Sequence, residues 1–221
     1  MVWTEHPIFF VDFEGSRASG VLEYGVATLL GGRIAEAKTR MCGATGPVSP
    51  QDTEIHGLEA DALQDAAPLA ADWEYFAGLR ERGPFAAHYA GAENSLLKAV
   101  WPYPRRSPDF VWPGESIVDW GPWVDSARIY AQLYPQFESG RLEDLVGAAG
   151  LQAELDSQAA IHCPAGRRRY HAALYDALAG ALLLGALARM PQCARLSLGQ
   201  LLALSTLDGE KRDRMRQGEL W

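Results

Sequence analysis

Asp12 and Glu14 stand two residues apart at the end of the apolar run Ile8-Phe9-Phe10-Val11, in Asp12-Phe13-Glu14-Gly15. Residues two apart on a strand point to the same face, so this run delivers two carboxylates side by side in apolar company. Desolvating a carboxylate there costs several kcal/mol unless a cation compensates it. A bound divalent metal resolves the repulsion, and an all-oxygen ligand set favours Mg²⁺ or Mn²⁺ over Zn²⁺. The competing reading is an ordinary pair of strand-end carboxylates.

A second cluster lies in Tyr170-His171-Ala172-Ala173-Leu174-Tyr175-Asp176-Ala177. Five residues along a helix turn a side chain through about 140°, so His171 and Asp176 cannot share a face in mid-helix. His171 is expected in the loop or first turn, arching over a site that Asp176 enters from the helix. Asp176, flanked by Ala and Leu, is again an acid in an apolar setting. A surface or capping role for His171 is the alternative.

Elements must hold these residues in place. Ile8–Val11 is expected as a buried central strand. Glu23–Leu30 and Arg33–Cys42, joined by Gly31-Gly32, are expected as two strands about a two-residue turn, completing a three-stranded antiparallel meander. Short helices follow around Asp52–Ile55 and Ala60–Leu63, with Ser49, Thr53 and Asp61 as N-caps. The pattern continues with a helix from Asp72 to Arg82, a short strand Phe85–Tyr89 and a helix from Ala92 to Trp101. Residues 101–123 hold four of the seven tryptophans and five of the thirteen prolines, an ordered insertion whose aromatics must pack on something. Beyond it, Asp125-Ser126 caps a helix to about Tyr134. A short helix over Arg141–Gly150, a long Ala/Leu-rich helix over His171–Met190 and an amphipathic segment over Leu196–Leu204 complete the chain. The alternation of strand and helix indicates an α/β layered fold, organised as a main domain over residues 1–190 and a helical extension over residues 191–221 that ends in the charged run Lys211–Trp221.

The 221 residues carry a formal net charge of −8, which excludes holding nucleic acid by bulk electrostatic attraction. The charge is uneven: residues 1–160 have 11 Lys/Arg against 23 Asp/Glu, and residues 161–221 have 9 against 5. Arg167-Arg168-Arg169, just before His171, offers phosphates the positive patch that the total denies them. Three widely spaced cysteines without a CxxC pair point to a reduced, cytoplasmic setting. The start of the chain lacks the basic opening and long apolar core of a signal peptide. Ala177–Ala188 is too short to span a bilayer, so no membrane role is expected.

The order of these motifs resembles the DEDD superfamily of 3′-to-5′ exonucleases, in its histidine-containing (DEDDh) branch, to which the proofreading subunit of bacterial DNA polymerase III and ribonuclease T belong. The resemblance spans roughly residues 7–188. Thr53-Glu54-Ile55-His56-Gly57-Leu58 is similar to the family's I-H-G-I/L segment, Trp123-Val124-Asp125-Ser126 to its D-T helix start, and Arg141-Leu142-Glu143-Asp144-Leu145 to its S-L-x-x-L helix. The middle motif, H-N-x-x-F-D in the family, aligns with His88-Tyr89-Ala90-Gly91-Ala92-Glu93 and departs at three of six positions. Glu93 keeps the charge and both oxygens on a stem one methylene longer. The first motif departs too: Gly15-Ser16-Arg17 follows Glu14 where the family has T-T-G.

The resemblance implies a ribonuclease H-like mixed five-stranded sheet flanked by helices. It implies Asp12, Glu14, Glu93 and Asp176 as ligands of two Mg²⁺ or Mn²⁺ ions and His171 as general base, a task suited to histidine's ordinary pKa of about 6.5. The activity implied is two-metal hydrolysis at 3′ ends of single-stranded DNA or RNA, releasing nucleoside 5′-monophosphates. Phe13, Gly15, His56, Leu58 and the three arginines are the expected substrate contacts, with Phe13 and Leu58 stacking on or wedging beside terminal bases. A homodimer or a larger nucleic-acid-processing complex fits the same reading. The alternative is a binding or scaffold module of the same fold that has lost catalysis through its altered middle motif.

Overall fold

The side chains of the first strand alternate between two cores, and the rest of the fold is layered on that alternation. The structure, a computed structural model, describes residues 2–112, 114–206 and 210. Strands β1 (Ile8–Ser16), β2 (Gly20–Leu30) and β3 (Arg33–Met41) form the expected meander, β2 and β3 turning at Gly31-Gly32, both at positive φ. Next come helices α1 (Pro50–His56) and α2 (Trp73–Arg82), strand β4 (Phe85–Ala87) and helix α3 (Ala90–Val100). The insertion contributes β5 (Ser107–Pro108) and β6 (Ser116–Ile117), a two-stranded ribbon of its own. The chain continues through β7 (Val124–Asp125), α4 (Ser126–Leu133), α5 (Leu142–Ala148), α6 (Gln152–His162), α7 (Ala173–Ala188), α8 (Pro191–Ala194) and α9 (Leu198–Leu204).

The main sheet runs β3-β2-β1-β4-β7, with β4 parallel to both β1 and β7. It is the mixed five-stranded sheet that the sequence implies. Ile8 and Phe10 enter the core shared with α4–α7, whereas Phe9, Val11 and Phe13 enter the one shared with α2, α3 and Trp120. By the same two-residue period Asp12 and Glu14 fall on the α7 side. Leu198, Leu201 and Leu202 of α9 join the core around α7, so the described part of the C-terminal extension packs onto the main layer. The run Lys211–Trp221 lies outside the described residues. Among the described residues no helix is long and apolar enough to cross a membrane.

The insertion packs as its composition requires. Trp120 stacks on Phe85 and donates its indole N–H to the Trp101 carbonyl at 2.8 Å. Arg80, fully buried on α2, donates to the carbonyls of Pro108, Asp119, Trp120 and Gly121, which ties the insertion to the core.

Three local expectations change. The strand over Phe85–Tyr89 stops at Ala87 because Tyr89 has φ 60°, a left-handed backbone incompatible with a strand. The helix expected from His171 begins at Ala173 because His171 has φ 61°. Helix α6 has no counterpart in the sequence reading: it buries only Leu155 and Ala159, too thin an apolar stripe to stand out as a period.

Gly25 sets how closely α7 approaches the sheet. It pairs with Asp12 across β1 and β2, and a Cβ placed there would lie 2.3 Å from the backbone of Ala173 and Leu174. The first turn of α7 therefore rests directly on β2 beside Asp12. Gly25→Ala is expected to destabilise the protein by at least about 1–3 kcal/mol through overpacking, with a fall in Tm of about 2–4 °C per kcal/mol. Gly78→Ala, in mid-α2 with nothing within 4 Å of the new Cβ, is expected to stabilise by roughly 0.5–1 kcal/mol. Chemical denaturation of the two variants checks both signs.

Candidate active site

Three elements converge on one carboxylate cluster. Strand β1 brings Asp12 and Glu14, α3 brings Glu93 in its first turn, and α7 brings Asp176 in its first turn. Glu14, His171 and Asp176 each place a potential ligand atom within 4.8 Å of the others. After burial itself, Glu93 and Asp176 are the charges that raise the Asp12 carboxyl most. The sequence-derived Asp12, Glu14, Glu93, His171 and Asp176 are thus one constellation in space.

The electrostatics of that constellation are strongly unfavourable without a counter-ion. Burial, then Glu93, Asp176, Glu14 and Glu23, hold the Asp12 carboxyl well above the usual range. Burial together with Asp176 and Glu23 pushes Glu14 up to about 8, against a pull from Arg167 and Arg169. Glu93 is pushed up to about 8 by burial and by Glu14. Asp176 rises to about 7 through burial, although the His171 backbone N–H donates to its Oδ2 at 3.0 Å. Glu93 Oε2 and Asp176 Oδ1 are buried oxygens with no hydrogen-bond partner among the described residues. Orphaned, mutually repelling carboxylate oxygens are the donor set that a hard divalent cation takes, so the residues present fit Mg²⁺ or Mn²⁺.

His171 is exposed and left-handed, as expected of a residue arching over the site from just before the helix. Tyr89 is the other non-glycine residue at positive φ among those described, and it too sits at the rim, N-terminal to Glu93. Backbone strain held in place by its surroundings gathers at functional sites.

The expected substrate contacts fall elsewhere. Phe13 is 6% exposed and packs on Phe76, on the sheet face away from the carboxylates, because it is odd in the strand period. Gly15 has φ +126° at a register shift after Glu14, and a Cβ would meet the Gly20 carbonyl at 2.3 Å, so the bulge itself requires glycine. Leu58 is buried with Leu22 and Leu63. His56 is buried, its Nδ1 accepting the Leu58 N–H at 3.0 Å. In that segment Ile55, 50% exposed, is the side chain open to a ligand, as is Tyr89 at 55%.

The arginine run divides. Arg167 turns inward and forks onto Glu23, Nε reaching Oε1 at 3.3 Å and Nη2 pairing with Oε2. Arg168 donates to the carbonyls of Cys163 and Ala160 at the end of α6. Arg169 is exposed and donates to the His56 carbonyl at 3.1 Å. The fully buried Glu23 escaped the sequence reading, although it carries the signal that selected the others, an acid inside an apolar strand run, Val21-Leu22-Glu23-Tyr24. A separate cavity of about 640 Å³, lined by Asn94, Lys98, Trp112, Trp123 and Arg128 among others, includes none of the four carboxylates or His171.

The raised pKa values set a pH dependence. For a group whose folded pKa exceeds its unfolded value, stability is lost as pH rises between the two. In EDTA the protein is therefore expected to lose stability from about pH 4.5 to about pH 8, as Asp176, Glu14 and Glu93 ionise. Adding Mn²⁺ is expected to raise Tm more at pH 8 than at pH 6, since ligands must be deprotonated to bind. Thermal melts at the two pH values, with and without metal, read this directly.

No protein-family model matches the chain, and no curated protein matches it in sequence. Its fold does match solved structures. Exonuclease X in complex with 5′-overhanging duplex DNA superposes with TM-score 0.66 at 18% identity, over 90% of this chain and 99% of that one. The nuclease domain of 3′hExo, a DEDDh family member bound to rAMP, gives TM-score 0.59 at 11% identity, over 86% and 96%. The zinc-bound E. coli ExoI–ssDNA complex gives 0.60 at 15% identity, over 86% of this chain and 42% of that larger one. The chain has the ribonuclease H-like fold of these exonucleases.

Proposed function

We propose that the protein is a metal-dependent 3′-to-5′ exonuclease that hydrolyses single-stranded DNA or RNA from the 3′ end. The observation that carries this reading is the cluster itself: the half-buried Asp12 with three buried carboxylates, two of them with orphaned oxygens, and an exposed histidine at left-handed backbone within reach of two of the acids. The fold neighbours whose names specify exonucleases with overhang DNA, single-stranded DNA or rAMP support it. The narrower likeness to the proofreading subunit and ribonuclease T rests on the sequence motifs.

Asp12, Glu14, Glu93 and Asp176 would hold two Mg²⁺ or Mn²⁺ ions. Bound there, the ions supply Lewis-acid charge and a more acidic water. The chain's own residues do the rest. A ring nitrogen of His171 accepts the proton of the attacking water. The phosphorus–O3′ bond of the terminal linkage breaks, leaving a 3′-hydroxyl on the shortened strand and a nucleoside 5′-monophosphate. Ile55 and Tyr89, both exposed, would offer the surfaces on which terminal bases stack. With a net charge of −8, the chain would hold nucleic acid one strand end at a time, through cations taken up by the cluster. Three free cysteines suit a reducing, cytoplasmic setting.

Incubation of a 3′-ended oligonucleotide with Mg²⁺ or Mn²⁺ is expected to release mononucleotides from the 3′ end. His171→Ala is expected to lower the rate by roughly 10²- to 10⁴-fold, and Asp12→Asn to abolish it. No mononucleotide from the wild type with either metal, or full activity in Asp12→Asn, contradicts the proposal. A folded scaffold module would also show no metal-induced rise in Tm.

A further inference from the structure

The His171 segment is held at three backbone points, and two of them lead to a single buried ion pair. The His171 N–H donates to Asp176. Its carbonyl accepts from Arg167 Nη2 at 3.2 Å. Two residues on, the Ala173 N–H donates to Glu23 Oε2 at 3.1 Å. Helix α7 has no side-chain cap of its own, its N-cap residue being Ala172. Glu23, reaching across from β2, takes the place of the missing cap, where a carboxylate also meets the positive end of the helix.

Glu23 has reason to need a partner. It pairs directly with Glu14 across β1 and β2, an arrangement in which like charges repel. The side chains of Arg167 and Glu23 are only 11% and 1% exposed, so the pair is shielded from solvent and salt. Arg167 also donates through Nη1 to the His56 carbonyl at the end of α1, which Arg169 reaches as well. One guanidinium thus joins β2, α1 and the His171 loop.

We propose that Glu23 and Arg167 are positioning residues whose buried ion pair fixes the His171 backbone, and through it the direction of the imidazole over Glu14 and Asp176. Left-handed backbone at a non-glycine residue relaxes unless its surroundings determine it, and these two side chains supply the determination. The role is distinct from phosphate binding, because the donors of Arg167 already engage Glu23 and two carbonyls. It rests on the exonuclease reading for its effect on rate and on geometry alone for its effect on the loop.

The test is a double-mutant cycle with His171→Ala. Glu23→Gln and Arg167→Lys, assayed with Mn²⁺ on a 3′-ended oligonucleotide, are each expected to lower kcat by about 10- to 100-fold, the usual range for residues that orient a metal site's machinery, with KM little changed. The same substitutions in a His171→Ala background are expected to add no further loss. Equal losses in both backgrounds, or wild-type kcat in a folded Glu23→Gln variant, overturn the proposal. Glu23→Gln/Arg167→Gln removes both charges and strands neither, so it serves where a single variant fails to fold. Should the wild type release no mononucleotide, the exonuclease reading fails by itself, and amide hydrogen exchange decides the clasp. Faster exchange at His171 and Ala173 in the double variant, with a global Tm close to wild type, supports it; unchanged exchange at both overturns it.

Discussion

Five carboxylates share the low-dielectric end of β1, and one inward-facing arginine answers them. Burial raises the pKa values of Asp12, Glu14, Glu93 and Asp176, neighbouring acids of the cluster raise Asp12, Glu14 and Glu93 further, and Glu23 adds to Asp12, Glu14 and Asp176. Arg167 neutralises Glu23 at close range and leaves four acids whose repulsion only proton uptake or a cation can relieve. At an effective dielectric of about 20, two unit charges 4 Å apart repel by about 4 kcal/mol, a sizeable part of a typical folding free energy of about 5–15 kcal/mol. A cluster of this kind at neutral pH is a donor set suited to divalent cations.

The surrounding architecture serves that concentration of charge. The two-residue period of β1 separates Asp12 and Glu14 from Phe9, Val11 and Phe13, so one strand feeds a site on one face and a core on the other. The bare face of Gly25 lets α7 sit against the sheet, which brings Asp176 down to the level of the strand acids. Tyr89 and His171, both left-handed, break the chain direction just before the helices that carry Glu93 and Asp176. Each break frees a residue at the rim while the acid behind it stays buried.

The meander, and the placing of Asp12, Glu14, His171 and Asp176 at element ends, were legible because they depend on local rules, whereas Glu93 was reached only through the family resemblance. An apolar strand ending in D-x-E, a glycine turn between alternating runs and an acid inside an Ala/Leu helix each carry a signal within ten residues. The substrate contacts were not legible, because whether Phe13 faces a base or the core depends on strand parity relative to a partner layer that sequence spacing does not name. Gly15 was expected as a substrate contact, whereas the bulge with Gly20 demands a glycine there. Arg167 looked like a free phosphate binder because its partner, Glu23, lies 144 residues away. Contacts of that separation are set by packing, and only the fold reveals them.

Whether the acids at the end of β1 form a two-ion site is read most directly from the electron paramagnetic resonance of bound Mn²⁺. Titration at pH 8 is expected to give two ions per chain with a spin-coupled signal, since ions of a two-metal site lie about 3.5–4 Å apart. Asp12→Asn is expected to remove the coupling. Absence of tightly bound Mn²⁺, or a coupled pair that survives Asp12→Asn unchanged, contradicts the account.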